Sequence, residues 1–169
     1  DAWRLATLGK GTLEPGNTAL IPWPDGRRPL EPGEVRLELR CGGVNFRDVL
    51  VVLDAPADDD VGLEGSGVVI EVADDVVEFA PGDQVMGHFV GAGSVVVADH
   101  RKITRKPSGW SFAQASTIPA AFLTAYHAVV HLAEARPGQR ILVHAATGGL
   151  GMATVQLARQ RGLDVYATA

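Results

Sequence analysis

The run His144-Ala145-Ala146-Thr147-Gly148-Gly149-Leu150-Gly151-Met152-Ala153 has the residue types and spacing to hold an anion. Small residues let a ligand approach the backbone. A helix that starts among them aims unpaired N–H groups and the positive end of its dipole at a phosphate. The flanking sequence fits. Arg140 to His144 reads as an apolar strand, Gly149 to Arg161 as a helix, Gly162 as its stop, and Asp164 to Thr168 as a second strand. Gly148 and Gly149 are expected to supply positive φ, and Gly151 a close helix–strand approach. Ala146, Thr147, Gly148, Gly149, Leu150 and Gly151 are therefore the candidate pyrophosphate contacts. The competing account is a tight strand–helix turn with no ligand. Thr168 ends the second strand, where a carboxylate would take a bare ribose diol. Ala167-Thr168-Ala169 offers no carboxylate, which favours a phosphorylated ribose and NADPH.

These residues need elements to position them. Leu150, Ala153 and Leu157 share one helical face and should pack on the sheet. Upstream, helical patterns follow Ser111-Phe112-Ala113-Gln114, a capping box, and cover about Ala120 to Ala133. Residues 1–107 are β-rich. Trp3 to Thr7, Thr18 to Pro22, Val35 to Arg40, Gly65 to Val72, Gln84 to Gly87 and Ser94 to Ala98 read as short strands between Gly/Pro turns, the pattern of a small, partly open barrel. The fold expected is α/β with a β-rich part: the barrel over 1–107, then linker helices and the opening strand–helix–strand of a Rossmann domain over 108–169.

Bulk properties narrow the function classes. With 169 residues, 46% hydrophobic and 21% charged, the chain suits a globular protein of one or two domains. A net charge of -5 favours neither nucleic acid nor an anionic membrane. No apolar run approaches the ~18 residues of a membrane span. Cys41 is the single cysteine, which excludes an internal disulfide and fits a cytoplasmic protein. Asp1-Ala2-Trp3-Arg4 lacks Met and any signal-like segment, so the chain is expected to be cut from a longer one.

Gly43-Val44-Asn45-Phe46-Arg47-Asp48-Val49-Leu50, Leu63-Glu64-Gly65-Ser66-Gly67-Val68-Val69, Pro81-Gly82-Asp83-Gln84-Val85-Met86-Gly87, Gly109 to Ala115, Phe122 to Tyr126 and His144 to Ala158 occur in this order. Together they resemble the enoyl reductase domain of modular polyketide synthases, within the medium-chain dehydrogenase/reductase superfamily. The resemblance covers essentially the whole chain. It implies a GroES-like catalytic domain followed by a Rossmann domain, with the cofactor between them. It also implies NADPH-dependent reduction of a trans-2-enoyl thioester on an acyl carrier protein, with neighbouring polyketide synthase domains as partners. Hydride goes to the β-carbon, charge builds on the thioester oxygen, and a proton reaches the α-carbon.

The resemblance also assigns residues. Asn45 lies near the nicotinamide, where its amide can donate and accept. It is the candidate catalytic residue as well as a cofactor contact, and a loop-capping role is the alternative. Thr124 matches a position whose hydroxyl approaches the cofactor; the alternative is a hydroxyl bonded to its own helix. Asn45 stands where zinc-dependent members carry a cysteine, and Leu63 where they carry a histidine, so no metal is expected. His127 and His131 share a helix face without a third ligand, and Cys41 is expected to be a small buried hydrophobe. His144 is expected to be buried and hydrogen-bonded, Tyr126 to pack its helix, and Asp48 to complement a helix dipole. Three clustered carboxylates, Asp58-Asp59-Asp60, suggest a solvated loop tip.

One departure stands out. Family members usually carry Gly-Met-Tyr-Pro or Gly-Met-Val-Pro here, and that tyrosine is associated with protonating the α-carbon; Leu53-Asp54-Ala55-Pro56 has no tyrosine. The family's other candidate donor, a lysine, is expected just past Ala169. Two further accounts compete with the synthase domain: a stand-alone zinc-free quinone or enone reductase, and an inactive structural remnant. Residues 1–169 alone are expected to bind NADPH weakly or not at all, since two strands and one helix make little of a Rossmann sheet.

Overall fold

The computed structural model describes residues 2–9, 11–12, 14–53 and 60–169. The chain divides into two compact units, Asp1–Thr117 and Ile118–Ala169.

In the first unit, β1 (Trp3–Thr7) and β2 (Thr18–Pro22) form an antiparallel pair. A five-stranded antiparallel sheet follows, built from β3 (Glu34–Gly42), β4 (Glu64–Val72), β5 (Gln84–His88), β6 (Val95–Asp99) and β7 (Ile103–Arg105). Its spatial order is β6-β3-β4-β5-β7, and it does not close on itself. This is the partly open, β-rich architecture expected. Val35, Leu37, Val69, Val85 and Val96 are the centre of the core. Burying each is worth about 1.5–3 kcal/mol, which is why the alternating runs become strands.

The alternation fails at Arg36, which is 4% exposed. A register shift between Arg36 and Leu37 breaks the two-residue period there. The guanidinium is satisfied inside. Its Nε donates to Glu71 Oε2 at 2.8 Å, and its other nitrogens donate to the carbonyls of Gly26 and Arg28. Arg36 therefore holds the short 3-10 turn Pro24–Arg27 against the sheet.

Two short helices accompany this sheet: α1 (Phe46–Val52) between β3 and β4, and α2 (Phe112–Ser116) after β7. The capping box of α2 forms as expected. Ser111 Oγ accepts from Gln114 N–H at 3.1 Å, and Gln114 Oε1 accepts from Ser111 N–H at 2.9 Å. Ser66, fully buried, donates its hydroxyl to the Phe112 carbonyl at 2.6 Å and ties α2 to β4.

In the second unit, α3 (Pro119–Tyr126) runs into a π-helix over His127–Leu132. One continuous α-helix was expected here; instead Ala133 N–H reaches five residues back to the Ala128 carbonyl, at 2.9 Å. β8 (Arg140–Val143), α4 (Gly149–Gln160) and β9 (Asp164–Ala167) then form the strand–helix–strand. β8 and β9 pair in parallel, from Arg140 opposite Asp164 to Val143 opposite Ala167. Val129, Ala158 and Leu163 are the core of this unit, with Ile141, Leu157 and Val165 packed on it. Ala153 and Leu157 pack as expected, whereas Leu150 stays 48% exposed. Gly162 ends α4 with φ 73°. Tyr126 is exposed and stands edge-on to His131 rather than inside a core.

Candidate functional site

The glycine turn joins β8 to α4. Its left-handed residue is Ala145, at φ 50°, whereas Gly148 has φ -79°. The expectation that Gly148 and Gly149 supply positive φ is thus corrected: the turn reverses three residues before Gly148, at Ala145. Two backbone bonds fasten it to the end of β9, Ala146 N–H to the Thr168 carbonyl at 2.8 Å and Thr168 N–H to the Val143 carbonyl at 3.0 Å. Inside the turn, Gly148 N–H reaches the Ala145 carbonyl at 3.1 Å and Met152 N–H the Gly148 carbonyl at 2.8 Å. The N–H groups of Gly149, Leu150 and Gly151 find no acceptor among the described residues, as first-turn donors do not.

The glycines differ. A side chain on Gly151 would collide with the Ala145 carbonyl and come within 2.6 Å of Ala146 Cα, so this glycine lets α4 sit against the turn as expected. A side chain on Gly149 would meet nothing within 4 Å. A cleft of about 490 Å³ opens here, lined by His144, Ala145, Gly148, Gly149, Leu150 and Gly151 among others. Thr147 and Thr168 are exposed beside it. These features suit a diphosphate: free donors, open space and no acidic side chain in the turn.

His144 is exposed rather than buried, but it is hydrogen-bonded: Nδ1 lies 3.2 Å from Thr168 Oγ1. Thr124, also in this unit, donates its hydroxyl to the Ala120 carbonyl at 2.7 Å and is exposed. The hydroxyl oxygen keeps its acceptor capacity.

Asn45 belongs to the first unit, at the N-cap of α1 with extended φ and ψ of -120° and 157°. Asp48 Oδ2 accepts from Asn45 N–H at 2.7 Å, and Asp48 Oδ1 from Gly62 N–H at 2.8 Å. Asp48 therefore caps the helix and also pins the strand-leading loop. The Asn45 amide donates from Nδ2 to Glu64 Oε1 at 2.9 Å. This fixes which end of the amide faces the buried carboxylate. Gly43 makes room for it, since a Cβ there would lie 2.6 Å from Glu64 Cγ and 2.5 Å from the Ser116 carbonyl. His88 pairs opposite Glu64 across β4 and β5, and burial pushes its pKa down.

The structure thus brings Asn45 together with Glu64 and Asp48, and the glycine turn together with Thr168 and His144. Sequence reasoning passed over Glu64 and Ser66. The available signal was polar residues inside Leu63-Glu64-Gly65-Ser66-Gly67-Val68, where small neighbours make space for buried partners. Among the described residues no group of three or more His, Cys, Asp or Glu could hold a metal ion. The rings of His127 and His131 lie 5.8 Å apart as a pair only. Cys41 is half-buried in β3. Asp54-Ala55-Pro56 and Asp58-Asp59 lie outside the described residues, while Asp60 pairs with Arg4 at 2.8 Å.

No helix among the described residues is long and apolar enough to cross a membrane. Residues 31–131 match the alcohol dehydrogenase GroES-like domain. All of the chain aligns, at 49% identity, with 8% of a phenolphthiocerol synthesis polyketide synthase type I of Mycobacterium bovis. The CurK enoyl reductase superposes with a TM-score of 0.91 at 32% identity, over 99% of this chain and 54% of that one. The quinone oxidoreductase of Escherichia coli, complexed with NADPH, does so with a TM-score of 0.77 at 26% identity, over 99% of this chain and 52% of that one. The chain therefore spans about half the length of these solved reductases and a small part of the synthase. It belongs to the alcohol dehydrogenase GroES-like family, within the group that includes polyketide synthase enoyl reductases.

Proposed function

We propose that this chain supplies the dinucleotide turn and the N-terminal catalytic segments of an NADPH-dependent, zinc-independent enoyl reductase. It would act in the cytoplasm on a trans-2-enoyl thioester borne by an acyl carrier protein, beside other polyketide synthase domains. The observation that carries this reading is the turn itself: three unpaired donors at Gly149, Leu150 and Gly151, with open space over Gly149. NADPH, when bound, supplies a hydride to the β-carbon of the thioester.

The residues of the chain have distinct parts in this proposal. Gly149, Leu150 and Gly151 donate to the pyrophosphate, and Ala146, Thr147 and Gly148 leave its approach clear. Thr168 stands at the ribose. Thr124, whose own proton goes to Ala120, offers its oxygen as an acceptor. Asn45, its amide turned by Glu64, contacts the nicotinamide. Asn45 and Leu63, in the places of metal ligands, leave the thioester oxygen to hydrogen-bond donors rather than to zinc.

In the natural full-length protein, Gly149→Asp tests the site. The carboxylate fits the open space and stands against the pyrophosphate, so the fold persists and NADPH binding is lost. Backbone amide shifts of Leu150 and Gly151 during an NADPH titration report it. Equal binding by the variant would refute the assignment. The likeness to the Escherichia coli quinone oxidoreductase supports a second reading, a stand-alone quinone or enone reductase. NADPH oxidation by the natural full-length protein with an enoyl pantetheine thioester, compared with a quinone, separates the two.

A further inference from the structure

His144 is used neither by the core nor by the pyrophosphate contacts. It follows the last residue of β8, is exposed, and lines the same cleft as Gly148 to Gly151. Its Nδ1 is 3.2 Å from Thr168 Oγ1. Thr168 directly follows β9, where folds of this kind that take a bare ribose carry a carboxylate. Both backbone groups of Thr168 are already committed, its N–H to Val143 and its carbonyl to Ala146. Its hydroxyl holds the imidazole. Nδ1 is thereby engaged, and Nε2 has no partner among the described residues.

The geometry points to His144, steadied by Thr168, as the residue that selects a 2′-phosphorylated adenosine ribose; this rests on the dinucleotide reading above. A phosphate offers acceptor oxygens. When the threonine hydroxyl donates to Nδ1, the neutral ring carries its proton on Nε2, and the imidazolium carries it there in either arrangement. A bare ribose diol gains most from a carboxylate that takes both hydroxyls, and Ala167-Thr168-Ala169 has none. The pair therefore replaces an acceptor with a donor at the position that discriminates between the two nucleotides. His144 touches the ligand, and Thr168 acts as its positioning residue.

The test is a titration of the natural full-length protein, isotope-labelled, with adenosine 2′,5′-bisphosphate and, separately, with adenosine 5′-monophosphate. The amides of Gly149, Leu150 and Gly151 are followed, so even weak binding is read. The bisphosphate is expected to bind about tenfold more tightly, the worth of one charge-assisted hydrogen bond. His144→Ala, at an exposed position, abolishes that preference and leaves the monophosphate affinity within about twofold. Thr168→Val loses part of the preference, and Thr168→Ser keeps it. Equal affinities in the unaltered chain, or a preference that survives His144→Ala, would overturn this inference and leave the turn assignment standing. If neither nucleotide moves those amides, the dinucleotide reading fails and this inference with it.

Discussion

Gly149 and Gly151 stand two places apart and serve different ends. Gly149 keeps space open for a ligand, whereas Gly151 lets the helix meet the turn. Gly151→Ala is expected to destabilise the second unit by about 1–3 kcal/mol, the usual cost of overpacking a filled site. Gly149→Ala should leave stability within about 0.5 kcal/mol, as surface changes do. Denaturant midpoints of the two variants check this, and a Gly151→Ala protein as stable as the parent would remove the packing argument. In the sequence both positions are simply glycine, because a missing side chain records permission and not its use. The same limit explains Ala145. Its left-handed backbone is imposed by the bonds that clamp Ala146 and Thr168 to β8 and β9, and nothing in an alanine announces that.

The clearest element-level device is the start of α1. Asp48 is 5% exposed and satisfies the backbone N–H groups of Asn45 and Gly62. Asp48→Ala leaves both donors without that acceptor and should cost about 2–4 kcal/mol, since hydrogen bonds to charged groups contribute about 1.5–3 kcal/mol each. Asp48→Asn should retain part of this. Thermal unfolding of the two variants distinguishes them, and equal stability would show that the carboxylate is dispensable. Elements of this kind were largely legible in advance. The strands Trp3–Thr7 and Thr18–Pro22, the Ser111 capping box and the order β8, α4, β9 follow from local periodicity and caps. What stayed hidden depends on partners distant in sequence. Arg36 is buried because Glu71 and two carbonyls meet it, and Glu64 because Gly43 yields space. The π-helical turn at His127–Leu132 likewise has no proline or glycine to mark it.

For the molecule as a whole, acid is the expected weakness, and the first unit carries it. The side chain of Arg28 beside Glu34 holds that carboxyl below its ordinary value, and Arg101 does the same to Asp99. A lowered carboxyl pKa adds stability above the unfolded value of about 4, and this is lost as pH falls through the depressed value. His88, lowered by burial, acts in the same sense from about 6.5 downward, because the unfolded chain takes its proton first. Stability should therefore fall steadily from neutral pH to about pH 3. Glu34→Gln should be less stable than the parent at neutral pH and should lose less on acidification, as urea midpoints at several pH values would show. A parent with a flat profile would rule out these pairs as contributors. The strand order β6-β3-β4-β5-β7 has a different consequence, during synthesis. β3 lies between β4 and β6, yet β6 emerges from the ribosome only after β4 and β5. Until Val95–Asp99 emerges, a growing chain presents one edge of Glu34–Glu38 unpaired, a stretch that includes Val35 and Leu37. That interval is when a chaperone would have most to cover.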